Sequence, residues 1–175
     1  RLISQLTTYH FAPTSLNKEC LQREGHTKNI WVVGNTVIDA LTYTLTKLKK
    51  YPDIITLKDI FNENKKSILV TGHRRENIGE PFYQLCDALS ELSSEKDIQI
   101  IFPVHLNPFF NKTVTQRLKQ NPNLKLIPPQ NYPNFIWLMQ QCNLIISDSG
   151  GIQEEAPFLG KPVLVTREFT ERQEA

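Results

Sequence analysis

The chain has 175 residues, 39% of them hydrophobic and 22% charged, with a formal net charge of +2 and a mean hydropathy of −0.35. That length supplies one well-formed core. No apolar run approaches the ~18 residues of a membrane span, so no membrane partner is expected, and the charge is too balanced to argue for nucleic acid.

Tyr9 to Ala12 reads as a short strand stopped by Pro13. Thr14 is a fair helix N-cap, 19–24 is helical, and Gly25 supplies the C-terminal turn. Ile30 to Val33 is a second strand, broken by Gly34-Asn35-Thr36. Val37, Leu41, Leu45 and Leu48 then form one face of an amphipathic helix reaching Lys50. Its basic end, Lys47, Lys49 and Lys50, reads as solvated. Pro52 to Asn64 is polar and irregular, a connector.

A regular rhythm follows: strand 67–71, helix 81–92, strand 98–102, helix 108–119, strand 124–127, helix 134–140, strand 144–147, a helix ended by Gly160, and strand 163–165. Alternation of this kind predicts an α/β fold, a Rossmann-like doubly wound parallel sheet. Cys20, Cys86 and Cys142, odd in number and far apart, suit reduced thiols serving as core filler in a cytoplasmic protein. His10, His26, His73 and His105 lack metal-ligand spacing, so no metal is expected. No long apolar stretch opens the chain, so no signal peptide is expected; it starts at Arg1, carries one methionine (Met139) and stops soon after a strand with no closing helix, so a piece of a longer protein is expected.

In open α/β sheets, ligands bind beyond the carboxyl ends of the strands. Those ends carry Gly72-His73-Arg74-Arg75-Glu76, Pro103-Val104-His105, Pro128-Pro129-Gln130, Asp148-Ser149-Gly150-Gly151, and Arg167 with Thr170-Glu171-Arg172. The residues suited to anion and sugar recognition therefore gather on one edge. The paired glycines let the backbone turn sharply and approach a ligand closely. The helix they open offers free N–H groups and a positive dipole end, which suits a diphosphate. His73, Arg74 and Arg75 read as charge neutralisation beside it, with His73 also able to act as an acid or base, and Glu76 as a brace for one arginine. His105 is either a ligand contact or a fixed loop residue. Glu154 and Glu155 point about 100° apart on a helix, so they do not form a catalytic pair, but one of them can accept hydrogen bonds from ribose hydroxyls. Phe135 is either core or the flank of a base. No Walker A lysine motif and no Gly-x-Gly-x-x-Gly occurs, so neither ATP hydrolysis nor NAD binding is favoured.

Four segments, Val33-Gly-Asn-Thr-Val-Ile-Asp-Ala-Leu41, Val70-Thr-Gly-His-Arg-Arg-Glu-Asn77, Pro103-Val-His-Leu-Asn-Pro108 and Asp148-Ser-Gly-Gly-Ile-Gln-Glu-Glu-Ala-Pro157, closely resemble the bacterial non-hydrolysing UDP-N-acetylglucosamine 2-epimerases. His10-Phe-Ala-Pro-Thr14 and Thr170-Glu-Arg172 fit the same pattern, and Gln173 departs from the proline usual there. The resemblance implies a two-domain GT-B-like fold, with residues 1–34 ending the first Rossmann-like domain and 35–175 forming most of a UDP-binding second. It implies interconversion of UDP-GlcNAc and UDP-ManNAc through 2-acetamidoglucal, without cofactor or metal, in a homodimer that feeds cell-surface polysaccharide synthesis. By motif, Gln130 and Phe135 would contact uracil, Ser149, Gly150 and Gly151 the diphosphate, Glu155 the ribose and Arg172 the phosphates. His73 would assist the departure of UDP. Arg74 or Arg75 and His105 match a second, activating UDP-GlcNAc site. The family's sugar-facing carboxylates fall before Arg1, so the chain alone is expected to be inactive. A GT-B glycosyltransferase would instead transfer the sugar to an acceptor, and a non-catalytic UDP-sugar sensor would bind without turnover.

Overall fold

A computed structural model describes residues 2–50, 57–118 and 121–170. They fall into two compact units that part between Ala40 and Leu41. In the first, α1 (Leu2–Leu6) precedes β1 (His10–Ala12), α2 (Ser15–Arg23) and β2 (Ile30–Val32). The two strands pair in parallel, His10 opposite Ile30. Helix α2 begins four residues before the expected 19–24 because the Thr14 side chain accepts from the Asn17 N–H at 3.2 Å. It ends in a Schellman turn: Gly25 has φ +93°, the Gly25 N–H donates to the Gln22 carbonyl and the His26 N–H to that of Leu21. Cys20 is exposed on a helix with no buried residue, which corrects its reading as core filler. Cys86 and Cys142 are buried, and burial pushes each thiol up to about 11. All three are free.

Helix α3 (Thr36–Lys47) continues as a single 3-10 turn over Leu48–Lys50. The second unit then lays down β3 (Lys66–Thr71), a 3-10 turn at Arg75–Asn77, α4 (Glu80–Leu92), β4 (Ile98–Pro103), α5 (Pro108–Arg117), β5 (Leu124–Ile127), α6 (Tyr132–Gln141), β6 (Leu144–Ser147), α7 (Gly150–Phe158) and β7 (Val163–Val165). Its five strands are all parallel, in the order β5-β4-β3-β6-β7. Part of the polar connector, 52–56, lies outside the described residues.

Strand residues alternate between two apolar layers, as the two-residue period of a strand requires. Leu69, Ile101 and Ile145 face Leu41, Ile136, Met139, Ile152 and Ala156 of α3, α6 and α7. Ile68, Val70, Ile100, Phe102 and Ile146 face Phe82, Cys86, Leu89, Phe110 and Val114 of α4 and α5. Both faces of the sheet are covered, so the fold is a doubly wound Rossmann-like α/β unit.

Polar side chains at the amino edge of the sheet are used up in tying elements together. Asn143 Oδ1 accepts from the Ser67 N–H at 2.8 Å, buried Gln99 donates to Ser67 Oγ and to the Asn62 carbonyl, and the Lys65 ammonium donates to Asn123 Oδ1. A groove of about 1000 Å³ lies at this edge, beside Lys58, Phe61 and Trp137. The chemistry noted above lies at the opposite edge.

Candidate functional site

The order in which strands are added reverses between β3 and β6: from β3 they step outward through β4 to β5, and from β6 the other way to β7. The two loops that leave the carboxyl ends here are Gly72-His73-Arg74 and Asp148-Ser149, and this gap is where open α/β sheets receive ligands.

Asp148 joins the two loops. Its side chain is fully buried, 0% exposed. One carboxylate oxygen, Oδ2, accepts the His73 N–H at 3.0 Å, the Arg74 N–H at 2.9 Å and Asn77 Nδ2 at 3.0 Å. Asn77 also donates to the Thr166 carbonyl at 3.3 Å, so the loop after β7 is held by the same side chain. Arg167 Nε donates to Glu76 Oε1 at 2.8 Å across a cleft of about 440 Å³ that Asn77, Pro81, Thr166 and Phe169 also line. Glu76 thus braces an arginine as expected, from another loop.

The His73 ring stacks on that of His105, with centroids 5.6 Å apart and planes 14° apart. His105 is itself oriented, because its Nδ1 accepts the Asn107 N–H at 3.1 Å. Arg74 is half-buried, and Arg75 is exposed at the start of the 3-10 turn. The loop residues after β3 and β4 therefore form one group built on Asp148.

The second group surrounds the start of α7. Thr14, Asn107 and Asn131 cap α2, α5 and α6 with their side chains, whereas Ser149 makes no such bond and no acidic residue occupies the first turn of α7. The first N–H groups of a helix have no intrahelical acceptor, and here no side chain of the cap supplies one. Neither Gly150 nor Gly151 has a positive φ, so the glycines are not needed for a sharp turn. A Cβ on Gly151 would stand 3.9 Å from Ser149 Oγ and 4.0 Å from Glu155 Oε2, ordinary contact distance, so the surrounding atoms of the chain do not require a glycine there either.

Glu155 is 6% exposed, while Glu154 is half-buried. Desolvation pushes the Glu155 carboxyl above the usual range; the Tyr132 hydrogen bond opposes this and the Glu154 charge adds to it. The Tyr132 hydroxyl donates to Glu155 Oε1 at 2.6 Å and is itself pushed up, by desolvation first and then by that carboxylate. Gln130 is fixed at both ends, donating to the Pro128 carbonyl at 2.7 Å and accepting from Asn134 Nδ2 at 3.3 Å. Phe135 is half-buried and packs on the core layer behind α6. Arg172 and Gln173 lie outside the described residues.

Three contributors went unread in the sequence. Asp148 appeared there only as the first residue of the Asp148-Ser149-Gly150-Gly151 segment, without a role of its own, although a carboxylate directly after a buried strand at the reversal point was a usable signal. Asn77 ends the His-Arg-Arg-Glu-Asn run, but only the loop conformation turns its amide inward. Tyr132 sits three residues before Phe135, and nothing in its spacing announces a partner 23 residues away.

A doubly wound α/β unit with an uncapped helix start at its reversal point belongs to the class of Rossmann-like folds built to receive an anionic ligand. The chain is a member of the UDP-N-acetylglucosamine 2-epimerase family, whose model matches residues 1–175. It is 52% identical over 184 residues to the UDP-N-acetylglucosamine 2-epimerase of Campylobacter jejuni, covering 100% of this chain and 48% of that protein. It resembles the crystal structure of UDP-GlcNAc 2-epimerase from Neisseria meningitidis bound to UDP-GlcNAc, with TM-score 0.94 and 44% identity over 99% of this chain and 48% of that one. It also resembles the Methanocaldococcus jannaschii UDP-GlcNAc 2-epimerase in complex with UDP-GlcNAc and UDP, with TM-score 0.79 and 35% identity over 97% of this chain and 48% of that one. The chain thus spans about half the length of the relatives it matches.

Proposed function

We propose that this chain is the UDP-binding half of a non-hydrolysing UDP-N-acetylglucosamine 2-epimerase. The observation that carries the reading is the uncapped start of α7 beside buried Glu155, in a chain of this family. Residues 35–175 form the nucleotide domain and 1–34 the end of a preceding one, in a GT-B-like pair. Gln130 and Phe135 hold the uracil, the Ser149-Gly150-Gly151 backbone and Arg172 the diphosphate, and Glu155 the ribose. Tyr132 occupies Glu155 Oε1, which leaves Oε2 to accept from a ribose hydroxyl.

The reaction breaks the C1–O bond to UDP and removes the C2 proton, which gives 2-acetamidoglucal. UDP then returns to C1 and a proton to the opposite face of C2. The demanding feature is the growth of negative charge on the leaving diphosphate. Fixed N–H groups and His73, placed where that charge grows, lower the barrier. The sugar-facing carboxylates lie outside this chain. His105 with Arg74 or Arg75 forms a second, activating UDP-GlcNAc site; the stacked His73–His105 pair gives it a route to the first. The relative from Methanocaldococcus jannaschii, in complex with both UDP-GlcNAc and UDP, supports two binding modes. The complete protein is a cytoplasmic homodimer supplying cell-surface polysaccharide synthesis. The three cysteines of this 175-residue chain are free, which suits a reducing compartment, and no helix among the described residues is long and apolar enough to cross a membrane.

The complete protein in deuterated buffer, followed by NMR, is expected to convert UDP-GlcNAc to UDP-ManNAc with deuterium at C2, and the 175-residue chain alone to give no turnover. Consumption of UDP-GlcNAc only when a sugar acceptor is added would replace epimerase with transferase. Turnover by the isolated chain would overturn the placement of the carboxylates.

A further inference from the structure

The Asp148 carboxylate is misplaced by simple electrostatics. It is 0% exposed and stands at the mouth of the helix start proposed to take a diphosphate. A buried carboxylate costs several kcal/mol unless both oxygens find donors or a cation. Oδ2 accepts three N–H groups; Oδ1 is buried and has no hydrogen-bond partner. The group it faces is His73 Nδ1, at 3.6 Å. The side chain is 41% exposed, while its Nδ1 stands beside the buried carboxylate. His105 closes one face of the ring by stacking, and Asp148 also fixes the His73 backbone through its N–H.

We propose that Asp148 is the positioning residue for His73: its Oδ1 accepts the His73 Nδ1–H and so turns Nε2 toward the diphosphate. The inference rests on the proposed role of His73 at the departing UDP. Asp148 does not touch the substrate; it acts through the ring. The separation closes to hydrogen-bond length when the site is filled, since catalytic hydrogen bonds are commonly long before ligand binds. With Nδ1–H anchored, Nε2 is the ring nitrogen that faces the phosphate oxygen gaining charge, and Asp148 balances the ring whenever both nitrogens carry hydrogen. Which ring nitrogen carries hydrogen is set by the acceptor that the other one meets.

Asp148→Asn separates this role from a purely structural one. Its amide oxygen can keep the three-donor pocket, and its NH2 then faces Nδ1, a donor where an acceptor stood. In a His–Asp pair that exchange inverts the tautomer while preserving the geometry. The experiment uses the complete protein with 15N-labelled histidine, the His73 signals being assigned by their loss in His73→Ala. In alkaline solution, where the ring is neutral, the parent protein is expected to show the Nδ1–H tautomer and Asp148→Asn the Nε2–H tautomer. For UDP-GlcNAc, kcat in the variant should fall by about 10²–10³-fold, with KM changed less than about threefold. An Nε2–H tautomer in the parent protein, or unchanged kcat in a folded Asp148→Asn, overturns the proposal. If the variant does not fold, the parent tautomer decides alone. UDP titration of the parent protein separates the two readings: UDP bound with the Nε2–H tautomer removes the positioning role only, and the Nδ1–H tautomer without UDP binding removes the nucleotide role only.

Discussion

Glu155 shows how function and stability oppose each other within one side chain. Its carboxyl is buried and pushed above the usual range, chiefly by desolvation. For an acid raised on folding, the folded state holds the proton more tightly than the unfolded chain. Its contribution is therefore favourable below the ordinary glutamate value of about 4.3, and is lost as pH rises through the raised folded value. Above that raised value the ionised side chain is a liability, softened by the Tyr132 hydrogen bond. Glu155→Gln is expected to raise the melting temperature at pH 7 by a few degrees and to lower UDP affinity by at least about tenfold, near 1.4 kcal/mol. The melting difference should shrink as the pH is lowered toward 4. Thermal melts at several pH values with calorimetric UDP titration check both parts. A variant that melts lower than the parent at pH 7, or binds UDP equally well, contradicts this account.

Helix α7 starts with neither a side-chain cap nor an acidic residue in its first turn, whereas α2, α5 and α6 have a side-chain cap and α4 has Glu80. Its far end is closed in the usual way, by a Schellman turn in which Gly160 has φ +68°, the Gly160 N–H donates to the Pro157 carbonyl and the Lys161 N–H to that of Ala156. Its beginning has no side-chain cap, and its second residue is a glycine that the backbone does not require there. Alanine has the higher helix propensity, by up to about 1 kcal/mol, and a Cβ on Gly151 meets its neighbours only at ordinary contact distance. Gly151→Ala should therefore leave the melting temperature unchanged or slightly higher while UDP affinity falls at least about tenfold, because the added methyl occupies the space assigned to the diphosphate. Retained affinity would remove Gly151 from the site.

Most of these elements were legible in the sequence because their signals are local. The parallel strands appear as apolar runs, and the helices between them carry period-3.6 apolar faces; Gly25 and Gly160 stop helices where they should. The start of α2 was placed late although Thr14 was read as its cap, because Ser15, Asn17 and Lys18 dilute the apolar period, and that of α6 was placed two residues late because its cap, Asn131, went unread. The site was legible as a cluster of residue types on one sheet edge. Asp148, Asn77 and Tyr132 were not, since each works through a partner set by chain folding across 71, 75 or 23 positions. The glycine pair was read both as a sharp turn and as room for close approach of a ligand; the backbone angles remove only the first reason.

For the whole molecule, the sheet divides its polar residues by edge. At the amino edge, Asn143, Gln99 and Lys65 are engaged in hydrogen bonds that hold elements together. At the carboxyl edge, the start of α7 is uncapped, one Asp148 oxygen lacks a partner, and the Asn134 Oδ1 and Thr166 Oγ1 acceptors are buried without one. Buried acceptors without partners are rare in folded proteins, and their concentration on the edge where Rossmann-like sheets take ligands gives the account its centre: a UDP site contained within this half. The chain spans 48% of its Campylobacter jejuni relative, so binding and turnover can be separated. The most direct measurement is calorimetric titration of the 175-residue chain with UDP and with ADP, repeated on Glu155→Ala and His73→Ala. The account predicts at least about tenfold preference for UDP over ADP, weakened by both substitutions. Equal binding of the two nucleotides, or no binding by a chain whose circular dichroism shows it folded, would contradict it.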